Sequence, residues 1–304
     1  MKGFVDRLQK LICRFTYINL RMDQRIINLY DEYTHRPLSR ESFLKQLIKL
    51  TGSLAAALAL LPLLESNYAH AQTGDNDLFT ERTIYPSEKG DMTAYVARPK
   101  KNGRYPSVIV IHENRGLNAH IEDVARRAAN AGFLAIAPDG LSPLGGTPSN
   151  EDEARELFGK LNTEDNVIRF AAAIPYISQR KDSTGAVGCV GFCWGGAMAN
   201  SLAVSVPDLK AAVAFYGRQP DLSLVPNIKA AVQLHYAGLD ERVNAGMQAY
   251  EDALKTAGIR YEQYLYEGVN HAFHNDTSTA RYNKEAAELA WTRTISFLKK
   301  YLAG

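Results

Sequence analysis

The stretch VGCVGFCWGGAMAN, Val187 to Asn200, decides the fold. Its first half is a short apolar run that reads as a buried strand, its second half reads as a helix, and Gly191-Phe192-Cys193-Trp194-Gly195 joins them. A glycine on either side of residue 193 removes side chains that would collide where strand and helix pack across a sharp turn. That lifts Cys193 to the top of the sheet. There its sulfur would lie at a helix N-terminus, whose partial positive charge favours thiolate. The competing reading is a structural cysteine in a glycine-rich turn. Cys189 lies inside the strand and reads as core.

Working outward from this stretch, Pro106–Glu113 (PSVIVIHE), Phe133–Asp139 (FLAIAPD), Gly185–Phe192, Lys210–Gly217 (KAAVAFYG) and Lys229–Gly238 (KAAVQLHYAG) are short, β-rich or continuously apolar runs. Such runs suit strands covered on both faces. Segments of helical period lie between them. Ile121, Val124, Ala125 and Ala128 share one face before Gly132, and Glu164–Ala173 and Asn244–Ala257 read similarly. Alternating strands and helices predict an α/β fold, with a mostly parallel sheet and helices on both faces, over residues 72–304.

A thiol nucleophile needs a base, and the base needs an orienting acceptor. Asp240 falls just past the run ending near Tyr236, and His271 just past YEQYLYEG. In a parallel sheet both emerge at the C-terminal edge, where the elbow also points. Nucleophile, acid, histidine is the chain order of the α/β-hydrolase arrangement. Taken singly, Asp240 reads as a helix cap and His271 as a loop histidine; the three together read as a triad. His274 is the rival base. HENRG, His112 to Gly116, follows the first central strand. A backbone N–H from its Glu113–Asn114 part and that of Trp194 are candidates to hold a developing oxyanion, a contact worth about 2.7–4 kcal/mol. Glu113 is either a partner of the Cys193 thiol or a loop carboxylate, solvated or paired with Arg115. His112 reads as structural.

Together HENRG, GFCWGG, AGLDERV and NHAF resemble the dienelactone hydrolase (carboxymethylenebutenolidase) family, over about Thr83 to Leu302. The resemblance implies an α/β-hydrolase domain and a triad of Cys193, Asp240 and His271. It also implies no cofactor, and a glutamate, here Glu113, that meets the thiol before substrate arrives. Family enzymes acting on dienelactone hold the substrate carboxylate with arginines, one of them four residues past the histidine; here that residue is Asn275. Arg115, Arg218 and Arg281 are the candidates to take over substrate binding. The implied substrate is a small ester or lactone. Two other classes stay open: a non-catalytic binding module on a hydrolase scaffold, and a thiol redox protein using Cys189 and Cys193.

Residues 1–71 read as an extension carrying an export signal. Arg40, Lys45 and Lys49 precede the apolar run Leu54–Leu64, and Ala69-His70-Ala71 precedes Gln72. The run is too short to span a bilayer, so no stable membrane span is expected. SRESFLK resembles a twin-arginine signal with Glu41 in the second arginine position, which predicts inefficient export to the periplasm and a cytoplasmic fraction. The run lies far from Met1, so Met22 is a candidate start; a retained amphipathic helix is the alternative. The extension carries 10 Lys/Arg against 6 Asp/Glu and the remainder 25 against 27. The basic excess therefore belongs to the extension, and no basic, aromatic-interleaved stripe in the body points to nucleic acid. The 3 cysteines, Cys13, Cys189 and Cys193, do not make a disulfide framework. No histidine after Gln72 pairs with another ligand in a zinc pattern, so no metal is expected.

Overall fold

The structure, a computed structural model, describes residues 22–36, 38–68, 73–74 and 76–303. Cys13 and the expected cleavage junction Ala69-His70-Ala71-Gln72 lie outside the described residues. The chain divides into two compact units, Met1–Leu64 and Glu65–Gly304, so the division falls a little before the expected 71/72 boundary.

The first unit contains α1 (Gln24–His35), α2 (Arg40–Thr51) and α3 (Leu54–Leu64). Asp23 and Ser39 cap the first two by accepting from Arg25 N and Ser42 N, and Gly52 ends α2 in the left-handed region at φ 80°. The rings of Tyr30, Tyr33 and Phe43 pack α1 against α2, with Tyr33 and Phe43 stacked at 4.5 Å. Glu41 pairs with Lys45 at 2.6 Å. No single described helix is long and apolar enough to cross a membrane; α2 and α3 are bent by 113° at their junction.

The second unit is built on one eight-stranded sheet. Its strands are β1 (Leu78–Tyr85), β2 (Met92–Pro99), β3 (Tyr105–Ile111), β4 (Leu134–Pro138), β5 (Ser183–Phe192), β6 (Ala211–Phe215), β7 (Ala231–Ala237) and β8 (Tyr261–Tyr266), in spatial order β1-β2-β4-β3-β5-β6-β7-β8. All pairs from β4 to β8 are parallel, as the run pattern predicts. β1 and β2 form an antiparallel margin that the pattern does not announce.

The continuous apolar runs are explained by burial on both faces. Val108 and Val110 of β3 share one cluster with Ile121, Val124 and Ala125 of α4 (Ala119–Asn130) and Phe297 and Leu298 of α11 (Lys284–Leu302). Ile109 and Ile111 share the other with Ile177 of α7 (Ala173–Ser178) and Met198 and Leu202 of α8 (Trp194–Ser205). Each such side chain, fully buried, contributes ~1.5–3 kcal/mol. Cys189 belongs to this second cluster, where burial pushes its thiol up to about 12. The helices α5 (Glu151–Phe158), α6 (Thr163–Ala171), α9 (Glu241–Asn244) and α10 (Met247–Thr256) complete the unit.

Candidate active site

The loops that leave β3, β5, β6, β7 and β8 supply the candidate site. Three described non-glycine residues have positive φ, Cys193 (55°), Tyr216 (38°) and Ala272 (63°), and all three lie in these loops. Such conformations cost of order 1–3 kcal/mol each and persist where the surroundings enforce them.

At Cys193 the enforcement is visible atom by atom. The Cys193 N–H donates to Phe215 O at 3.0 Å, and its carbonyl accepts from Ala197 N at 3.1 Å as α8 begins. A Cβ on Gly191 would stand 1.9 Å from Gly195 O, and one on Gly195 would stand 2.3 Å from Ile111 O and 2.5 Å from His112 O. Glycine is therefore required on both sides of the elbow. The same approach brings the Trp194 end of α8 against the loop that carries Glu113 and Asn114.

Asp240 caps α9, its Oδ1 accepting from Val243 N at 3.2 Å, while its Oδ2 lies 2.5 Å from His271 Nδ1. A carboxylate at Nδ1 fixes the proton there and leaves Nε2 as the unprotonated nitrogen of the neutral ring. Cys193 Sγ lies within 4.8 Å of a His271 ring nitrogen. The three residues that the sequence places after three strands are thus together. Arg242 Nη2 approaches His271 Nδ1 at 3.4 Å, a neighbour that sequence reasoning missed.

His274, the rival base, is buried among aromatic rings. Its ring stacks on Phe192 at 4.9 Å, and burial, then the charges of His120 and Arg127, hold its pKa well below the ordinary histidine value. His112 is structural in a specific way. Its Nδ1 donates to Glu113 O at 2.7 Å, its Nε2 accepts from Gly140 N at 2.9 Å, and its ring stacks on Trp194 at 5.3 Å. Burial lowers its pKa, so it stays neutral and holds both the Glu113 loop and the residue after the elbow. The Trp194 indole is enclosed by His112, Phe158 and Phe170.

Glu113 meets two donors. Its Oε2 accepts from Asn275 Nδ2 at 2.9 Å, and its Oε1 accepts from the Tyr216 hydroxyl at 3.4 Å. Asn275 is oriented by Thr277, whose N–H and hydroxyl both donate to Asn275 Oδ1, at 3.0 and 2.6 Å; only the amide nitrogen can then face Glu113. Tyr216 links Glu113 to the rest of the site. Its ring lies 4.8 Å from that of His271, and burial, then the negative charges of Glu113 and Cys193, push its hydroxyl far above the usual tyrosine range. It is a neutral donor at any ordinary pH. Tyr216 also escaped sequence reasoning, although its place directly after β6, beside the exits of β5 and β7, was a usable signal.

Of the three candidate arginines, Arg281 is buried, donates to Ser278 Oγ at 3.0 Å and acts electrostatically on Tyr216. Arg115 is buried, donates to Asn114 Oδ1 at 3.1 Å and faces Glu151 Oε2 at 3.8 Å, so its carboxylate partner is Glu151 rather than Glu113. Arg218 is exposed beyond Gly217.

The chain is similar to known proteins. The profile described as "Dienelactone hydrolase family" matches residues 92–302. A Saccharolobus solfataricus protein that carries the provisional name carboxymethylenebutenolidase is 33% identical over 255 residues, covering 71% of this chain and 97% of its own. An Escherichia coli O157:H7 protein of the same provisional name is 32% identical over 247 residues, covering 76% of this chain and 90% of its own. The crystal structure of a provisionally named dienelactone hydrolase from Klebsiella pneumoniae superposes with a TM-score of 0.68 at 30% identity, covering 74% of this chain and 100% of the other. The sheet and its flanking helices are an α/β-hydrolase fold.

Proposed function

The chain belongs to the dienelactone hydrolase family, a family of ester- and lactone-cleaving hydrolases, and from that premise we propose that it works through a thioester on Cys193. The observation that carries this reading is the placement of the Cys193 sulfur within 4.8 Å of a histidine whose Nδ1 is held by Asp240 at 2.5 Å.

In the first half-reaction the Cys193 sulfur attacks the carbonyl carbon and its proton passes to His271 Nε2. The Trp194 N–H and the Glu113–Asn114 backbone stabilise the oxyanion. The C–O bond breaks, the alkoxide or enolate leaves with the proton from His271, and Cys193 holds the acyl group. In the second half, water gives a proton to His271 and attacks the thioester; the sulfur leaves, taking that proton back from His271, and the carboxylic acid departs. Asp240 keeps Nδ1 protonated throughout and stabilises the imidazolium. Glu113, held by Asn275 and Tyr216, sets the charge beside the resting thiol. Arg115, Arg218 and Arg281 are the candidates for substrate binding, of which Arg115 and Arg281 are buried.

Turnover of a panel of aryl esters and enol lactones tests the reading. Cys193→Ala and His271→Ala should abolish turnover while Cys189→Ala keeps it; near wild-type turnover in Cys193→Ala would overturn the mechanism. The export reading of residues 1–71 is tested by N-terminal sequencing of fractionated cells, where a periplasmic form beginning at Gln72 supports it and a periplasmic form still beginning at Met1 or Met22 refutes it.

A further inference from the structure

Tyr68 belongs by sequence to the end of the extension, yet it is seated in the second unit. Its hydroxyl donates to Glu151 Oε1 and accepts from Asn118 Nδ2 at 2.9 Å. The residue before it is pinned as well, with Asn67 N–H donating to Thr277 O at 2.7 Å. Thr277 in turn orients Asn275, which holds Glu113. The segment is therefore tied at two points to the polar network of the candidate site.

The receiving groups are built independently of Tyr68. Asn118 is the N-cap of α4, and its Oδ1 accepts from Ile121 N at 3.1 Å. The amide nitrogen is consequently turned outward as a donor whether or not a hydroxyl meets it. Glu151 opens α5 and is faced by Arg115 Nε at 3.8 Å, an arginine on the same loop as Glu113. One outward donor beside one carboxylate acceptor matches a neutral hydroxyl, which gives one hydrogen bond and takes one. It does not match a carboxylate, which Glu151 would repel.

We propose that Arg115, Asn118 and Glu151 form a subsite for a phenolic hydroxyl on the Glu113 side of the candidate site, held by Tyr68 in the full-length chain and open to the aromatic part of a substrate once residues 65–68 withdraw. The substrate half rests on the hydrolase reading above; the binding half does not. Tyr68 is then an internal stand-in for the substrate's phenol, and the position of the Ala69-His70-Ala71 junction three residues from its seat means that processing there removes the occupant. Glu113 and Arg115 both act electrostatically on the Tyr68 hydroxyl, consistent with a seat beside the site.

The test uses the full chain and two ligands that differ only in the hydroxyl, 4-methylphenol and toluene, with binding followed by titration calorimetry. Tyr68→Ala should bind 4-methylphenol at least tenfold more tightly than toluene, since a site built for a hydroxyl leaves buried polar groups unpaired with the analogue that lacks it. Adding Glu151→Ala should erase that preference. Asn67→Pro, which deletes the N–H that pins the segment while keeping Tyr68, should show the same preference at weaker affinity and guards against a folding defect in Tyr68→Ala. In turnover, Tyr68→Ala should prefer methyl 4-hydroxyphenylacetate over methyl phenylacetate by at least tenfold in kcat/KM. Equal binding of the two ligands by both variants, or a preference that survives Glu151→Ala, overturns the subsite. A binding preference with no ester turnover in any variant leaves the subsite standing and overturns the hydrolase reading instead.

Discussion

Replacing Asp240 by asparagine separates orientation from packing at this site. The Asp240 Oδ1 takes the Val243 N–H at 3.2 Å and the Oδ2 takes His271 Nδ1–H at 2.5 Å. In Asp240→Asn the Val243 N–H still needs an oxygen, so the new NH2 must face Nδ1 and donate to it. Nδ1 then becomes an acceptor and the ring proton moves to Nε2, the atom that has to receive the thiol proton. In a serine triad the corresponding exchange costs about 10⁴-fold in kcat, ~5.5 kcal/mol of transition-state stabilisation. A thiol ionises more readily than a serine hydroxyl, so the loss here should lie between about 10² and 10⁴. Stability should barely change, because asparagine caps a helix as well as aspartate does. The assay is kcat/KM on an aryl ester beside a thermal midpoint. A variant within tenfold of wild type in kcat/KM, with unchanged midpoint, would refute the assigned role of Asp240.

Three further outcomes follow from the packing. His235, His112 and His274 are buried and neutral, and His235 is held at about 3 against an ordinary 6.5 by burial and then by Arg293. The unfolded chain takes up protons that the native state refuses, so their contribution is complete above pH 6.5 and is lost progressively as pH falls below it. Denaturant unfolding should show stability falling by up to ~1.4 kcal/mol per pH unit for each histidine below pH 6.5; a flat profile from pH 6.5 to 4.5 would contradict this. Gly195→Ala puts a Cβ 2.3 Å from Ile111 O, so the elbow must open: turnover should fall at least 10²-fold together with a lowered midpoint, and a fully active variant would show that the elbow geometry is wrong. Glu113→Ala leaves the Tyr216 hydroxyl and Asn275 Nδ2 without their acceptor, costing about 1–3 kcal/mol, and removes the carboxylate proposed to meet the resting thiol. Iodoacetamide should then label Cys193 faster, whereas an unchanged labelling rate would make Glu113 only a loop carboxylate.

Which parts of the fold were legible follows from where each element lies. β3 to β7 are covered on both faces and therefore read as unbroken apolar runs, and the elbow carries its own signature because close backbone approach admits only glycine at 191 and 195. β1 sits at the edge with much of LFTERTIY exposed or half-exposed, so its sequence lacks that run. The proposed triad residues were legible as candidates because Cys193, Asp240 and His271 follow strands in a recognisable order. The partners of Glu113 were not, since Asn275 lies 162 residues away and reaches it only through the turn that Thr277 sets. Tyr216 adopts φ 38° without being glycine, a conformation imposed by its hydrogen bond to His235 O and by packing rather than by its residue type.

The thioester itself is the most direct test. Full-length enzyme mixed with excess 4-nitrophenyl acetate, acid-quenched within its first turnovers and analysed by intact mass and peptide mapping, should carry one acetyl group on Cys193. The label should accumulate further in Asp240→Asn if that variant slows deacylation more than acylation, and it should be absent from Cys193→Ala. Ester turnover with no adduct at Cys193, or with the acetyl group on another residue, would contradict the account.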